Sequence, residues 1–247
     1  MAYREDEDLN FLQYCDNDDL GILVDYITKG KNGGERLTEF LTLSENYKKY
    51  YPNHKKYWRE IAEEIQKYGG NTFANIVRLG DGVYYRDILI KVCKKMKVSF
   101  NSSSETEEIE RKLIEKLLKD SLKDMSEEEL KKFLKELNIS TTNFTKQGMI
   151  MAIQAIIRQG GFKSYQILVI VANSVAKSLL GRGLSFTMNA TLTKTMSILI
   201  GPIGLILTAL WTMVDIAGPA YRVIIPVCIQ VAYMRSKSKY KKIELKW

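Results

Sequence analysis

The chain has 247 residues, 45% hydrophobic and 27% charged, which is a globular composition with room for one large or two modest domains. Its mean hydropathy of -0.19 argues against a polytopic membrane protein. The formal net charge of +8 lies entirely late: residues 1–162 sum to -1, residues 163–234 to +4 and residues 235–247 to +5.

Helix signals run through the chain and strand-like alternation is nearly absent, so the expected fold is all-α. Leu9, Phe11 and Leu12 mark a short amphipathic turn. Asn17 or Asp18 then caps a helix whose Leu20, Leu23, Val24 and Ile27 share one face. After the loop Lys29 to Gly34 comes a helix around Leu37 to Leu43, then a polar aromatic stretch, Tyr47 to Tyr57. A helix from about Tyr57 to Tyr68 stops at Gly69-Gly70. Asn71 caps a short helical segment and Asp81 caps Val83 to Met96. The Ser-rich Asn101 to Glu107 reads as a linker. Beyond it, Ile109, Leu113, Ile114, Leu117 and Leu118 mark a charged amphipathic helix. Ser126 with Glu129 forms a capping box ahead of Leu130, Phe133, Leu134 and Leu137. From residue 146 the character changes: Gln147 to Ile157 and Tyr165 to Leu180 are apolar on most faces, which implies burial from several sides.

The last third carries the sharpest signal. Thr195 to Val214 is twenty residues without a charge, about the length an α-helix needs to cross a bilayer. Gly201-Pro202 breaks it near the middle, where proline removes a helix hydrogen bond. Asp215 to Pro219 reads as a stop and turn, and a second apolar arm, Tyr221 to Met234, is too short to span. The expected architecture is therefore a multi-helix bundle with a hydrophobic C-terminal helical hairpin. Its domains would be 1–100, the charged helices 101–145, a hydrophobic bundle 146–234 containing the hairpin 195–234, and a basic tail 235–247. The turn is assigned to Asp215, Gly218, Pro219 and Arg222.

Catalytic constellations do not assemble. The single histidine, His54, reads as a surface residue and excludes a triad or a multi-histidine metal site. Asp16 to Gly21 has a calcium-loop look, but Leu20 and Ile27 occupy positions that need oxygen ligands, so an acidic helix start is the plainer reading. Gly30 to Gly34 and Gly181 to Gly183 lack the spacing of a phosphate-binding loop. Cys15, Cys93 and Cys228 are odd in number and outside any CxxC pattern, as expected of reduced thiols. No cofactor, metal or small-molecule substrate is implied, and a non-enzymatic protein is expected.

Positive charge beside apolar helices favours an anionic lipid surface, each nearby Lys or Arg contributing ~1 kcal/mol. The candidate membrane or partner contacts are Ile198, Ile200, Ile203, Leu205, Leu207, Leu210 and Trp211 on the first arm, with Ile224 and Val227 on the second. Arg235, Lys237, Lys239, Lys241 and Lys242 are the headgroup candidates, within a tail that could equally be solvated and disordered. Nucleic acid ranks below lipid as a partner of that tail. The chain opens without the apolar core of a secretory signal. A cytoplasmic location is expected, peripheral to or inserted at the inner membrane.

Several blocks resemble the YaaW-like family of uncharacterised bacterial proteins, some of which carry a ubiquinol–cytochrome c chaperone label. They are Tyr3 to Leu12 with Asp18 to Tyr26, Gly69 to Asn75, Gly80 to Lys97, Gly161 to Tyr165, Gly181 to Leu184, Gly201 to Gly204 and Asp215 to Val223. The resemblance brings no catalytic residues. Its label implies assistance to a membrane-protein complex. The expected function is thus engagement of membranes or membrane-protein helices through the hairpin, by regulated insertion at the extreme. The alternative is a soluble assembly or chaperone-like factor whose hairpin stays in its core.

Overall fold

The computed structural model describes residues 3–30, 40–72, 83–184, 190–214 and 220–244, and every regular element among them is helical. The chain divides into two compact units, residues 1–110 with 211–247, and residues 111–210. The division falls inside two helices and not in the polar stretch 101–107. That stretch is pinned within the first unit, because the Arg86 guanidinium donates to the carbonyls of Ser102 and Ser104 and to the Thr106 hydroxyl.

The first unit opens with a 3-10 turn, Asn10–Tyr14, and helix α1, Asn17–Thr28. Asp18 and Asp19 sit in the first turn of α1, where the helix dipole favours negative charge. A second 3-10 turn, Leu41–Leu43, leads to the short α2, Glu45–Tyr50, capped by the Ser44 hydroxyl accepting from the Tyr47 N–H. A third, His54–Tyr57, leads to α3, Trp58–Thr72; α4, Tyr85–Lys95, follows. The unit is completed by the last helix of the chain, α10, Tyr221–Glu244, which packs against α1, α3, α4 and the first 3-10 turn. Residues 223–234 of α10 are buried without interruption. Only a segment apolar on nearly every face could occupy that position, since a polar face there would lose its hydration.

Two expectations change in this unit. His54 is buried: its Nδ1 hydrogen-bonds the Tyr57 hydroxyl, and the rings of Tyr51 and Tyr57 meet it edge-on at 5.7 and 5.6 Å. The neighbouring tyrosines supply the cover that a polar-looking sequence hides. Residues 235–244 are not a disordered tail but the continuation of α10, in which Arg235, Lys237 and Lys239 pair with acidic residues of the fold.

The second unit takes up α5, Thr106–Lys123, from Arg111 onward, then α6, Glu127–Glu136, α7, Lys146–Gln159, α8, Gly161–Leu180, and α9, Ala190–Val214, through Leu210. The capping box at the start of α6 is formed in both directions, Ser126 hydroxyl to Glu129 N–H and Glu129 carboxylate to Ser126 N–H. Helix α7 packs between α6 and α8. Gly181 ends α8 in the left-handed region at φ 71°, a conformation that glycine adopts without strain, and its N–H closes on the Lys177 carbonyl. The core of this unit gathers Leu117, Phe133, Ile153, Ile170 and Val175, all fully buried.

Candidate interaction site

The two apolar arms anticipated at the C-terminus belong to different units, α9 through Leu210 to the second and α10 to the first. Their surroundings differ accordingly. On α9, Leu199, Ile203 and Leu207 recur every fourth residue and form the buried stripe. The Ser178 hydroxyl of α8 donates to the Ile200 carbonyl at 3.3 Å, fastening the middle of α9 within its unit. Gly204 faces the same serine closely enough that an added Cβ would lie 3.4 Å from its Oγ. The other described side chains of α9 are exposed or half-buried. Leu205 is 64% exposed. Gly201, Thr208 and Ala209 are exposed too, and Ile198, Ile200, Pro202 and Ile206 are half-buried. By helical spacing Ile198, Pro202, Leu205 and Ala209 fall on one face, beside the buried stripe. The described part of α9 therefore has a partly exposed apolar face, with Leu205 and Ala209 outermost.

On α10 the corresponding residues Ile224 and Val227 are buried, and so are all their neighbours from Val223 to Met234. Arg222 is half-buried in its first turn. Asp215, Gly218 and Pro219 of the expected turn lie outside the described residues, as do the side chains of Leu210, Trp211, Lys241 and Lys242.

Past Met234 the helix meets charge. Arg235 lies along Glu110 of α5, its Nε 2.9 Å from Oε2, with its Nη2 donating at 3.2 Å to Oε1 and at 2.7 Å to the Asp8 carbonyl. The Tyr85 hydroxyl donates to Glu110 Oε1 at 2.9 Å, and the guanidinium sits 4.6 Å over the Phe11 ring. Burial pushes the Glu110 carboxyl above its ordinary range while Arg235 pulls it back. Burial also disfavours the Arg235 cation, but Glu110 and Asp8 more than compensate and hold it charged. Two residues on, Lys237 Nζ lies 2.7 Å from Asp19 and 2.9 Å from Asp16 at the start of α1. Against the cost of burial, these carboxylates raise its pKa. Lys239, exposed, pairs with Glu107. Of the five headgroup candidates, Arg235 and Lys237 thus neutralise acids inside the fold.

A cavity of about 460 Å³ opens beside this network, lined by Asp8, Phe11, Thr106, Glu107, Arg235 and Lys239. Its polar groups are engaged with one another: the Thr106 hydroxyl donates to Asp8 at 2.8 Å and accepts from Arg86. Asp6, whose carboxyl burial raises, accepts from the N–H groups of Tyr85 and Asp8 and from the Gln66 amide. Saturated groups of this kind hold a fold together.

The family described as Ubiquinol-cytochrome C chaperone matches residues 53–228, and a Domain of unknown function (DUF3944) matches residues 3–37. A UPF0174 protein of Helicobacter pylori strain J99 is 48% identical over 240 residues, 97% of this chain and 94% of its own. The UPF0174 protein YaaW of Escherichia coli K12 is 31% identical over 240 residues, 95% of this chain and 96% of its own. The chain belongs to the YaaW-like family. No solved structure matches it. In this YaaW-like protein no described helix is long and apolar enough to cross a membrane. The α10 ion pairs were invisible to a reading of the sequence, because Asp8, Glu110 and Arg235 are separated by more than a hundred residues at each step. The signal that could have found them is the abrupt change from a wholly apolar to a basic segment within one helix, which marks a buried end that needs acidic partners.

Proposed function

We propose that this protein is a non-enzymatic, chaperone-like factor that engages the apolar helices of membrane proteins, or the membrane itself, through its C-terminal hydrophobic segment. The partly open face of α9 carries the reading: an apolar helix fastened along one stripe leaves Leu205 and Ala209 exposed, with Ile198 and Pro202 half-buried beside them. A client helix covering that face would remove apolar surface from water at ~25 cal/mol per Å². The family description supports a protein client, and the complex it names, ubiquinol–cytochrome c, is one built around membrane-embedded helices. Work at the cytoplasmic face of the inner membrane follows from such a client.

The test is co-purification of the full-length protein with the membrane-spanning subunits of a bacterial ubiquinol–cytochrome c complex, produced together. Wild type retains them and Leu205→Lys, folded by circular dichroism, loses them. Equal capture by the variant would overturn the reading. A second reading, in which both arms serve only as core, is favoured by the complete burial of α10 residues 223–234. It requires Leu205→Lys to misfold.

A further inference from the structure

The segment from Phe40 to Arg59 has a surface that neither arm explains. Within residues 48–59 stand five cations, Lys48, Lys49, Lys55, Lys56 and Arg59, and no acid; Glu45 and Glu60 bracket them. All five are exposed, and no ion pair involves the four lysines among the described residues. Beside them three large apolar side chains face water: Phe40 is 57% exposed, Leu43 62% and Tyr51 58%. The 3-10 turn Leu41–Leu43, helix α2 and the 3-10 turn His54–Tyr57 pack on one another, so the charges and the apolar groups sit on one small assembly. That assembly is rigid. Tyr47 contacts the rings of Tyr51 and Tyr57 at 5.2 and 5.4 Å, and Asn17 reaches across to donate to the Pro52 carbonyl.

We infer that this strip docks the protein peripherally on an anionic lipid bilayer, the lysines meeting headgroups and Phe40, Leu43 and Tyr51 entering the interface. Positive charge together with exposed aliphatic and aromatic side chains is what the boundary between headgroups and acyl chains rewards. Nucleic acid suits the strip less well. Leu43 offers nothing to a base, and the tyrosine rings are engaged edge-to-face with one another and with His54, so they present no stacking platform. Arg235 and Lys237 of α10, by contrast, are held by Glu110, Asp16 and Asp19. The inference does not depend on what α9 binds.

The experiment is co-sedimentation of the full-length protein with vesicles of phosphatidylglycerol and phosphatidylcholine, against pure phosphatidylcholine, at low salt. The anionic vesicles bind and the neutral ones do not. Replacing Lys48, Lys49, Lys55 and Lys56 together by alanine weakens binding roughly six-hundred-fold, each lysine contributing about five-fold. These side chains are exposed, so the fold is retained by circular dichroism. Phe40→Ser with Leu43→Ser weakens binding at constant charge. Lys239→Ala with Lys241→Ala and Lys242→Ala leaves it unchanged. Failure of wild type to bind, undiminished binding by the four-lysine variant, or loss confined to the tail variant would each overturn the inference. Tighter lysine-dependent binding to a single-stranded RNA than to the anionic vesicles would reassign the strip to nucleic acid.

Discussion

Helix α9 and the Tyr221 to Met234 arm of α10 are both apolar and both interrupted by a proline, yet the fold treats them oppositely. Helix α10 is sheathed by α1, α3 and α4 along residues 223–234. Helix α9 has a stripe of three buried residues and an open flank. Apolar content alone therefore does not say whether a helix is core or contact surface; the number of neighbours that close over it decides. The described side chains of α9 include an exposed leucine, Leu205, whereas residues 223–234 of α10 are all buried.

The largest effect that could break this contrast is a charge placed in α10. Ile224→Lys buries an ammonium where no acceptor waits. It should abolish folding outright, leaving no cooperative thermal transition, since an unpaired buried charge costs more than most domains have in reserve. Survival of a folded I224K protein would show that α10 is not sheathed. Next comes the clamp at its charged end. Glu110→Ala leaves Arg235 buried without its carboxylate and should cost about 3–5 kcal/mol in urea denaturation.

A smaller effect appears with pH. Burial raises the Asp6 carboxyl in the folded chain, so the folded state binds its proton more tightly than the unfolded state does. The contribution of Asp6 to stability is then fullest at acid pH and declines as pH climbs from the ordinary carboxylate range through the raised value. Stability measured across that window should fall less steeply in Asp6→Asn than in wild type, and an identical slope would contradict the shift. The smallest effect on stability belongs to α9: Leu205→Lys should change the unfolding free energy by no more than about 0.5 kcal/mol, as exposed substitutions do. A loss comparable to that of a buried leucine would mean that the open flank is closed.

Much of the helical framework was legible in the residues. The apolar spacing of Leu20, Leu23, Val24 and Ile27 marked α1, and Ser126 with Glu129 announced the start of α6, because caps and periodicity are local properties. The partition between units was not, since it depends on α10 returning to pack against the N-terminal third. The expected hairpin rests on the adjacency of two apolar arms in sequence, and those arms fall largely in separate units. The exposed lysines at 48–59 escaped for the opposite reason: summing charge over residues 1–100 gives zero and erases a strip only twelve residues long. His54 was misplaced because its cover comes from aromatic rings, which a count of polar neighbours reads as solvent-facing.

The placement of α10 has a temporal side. Residues 1–110 emerge from the ribosome lacking the helix that fills their centre, whereas residues 111–210 form one uninterrupted stretch. At a synthesis rate of roughly 5–20 residues per second, the first unit waits on the order of ten seconds for its last piece, and the second can finish folding meanwhile. During that interval the groove destined for α10 stands empty, and it closes once residues 221–244 are made. Chain termination between residues 210 and 221 would release a protein with one finished unit and one that cannot close.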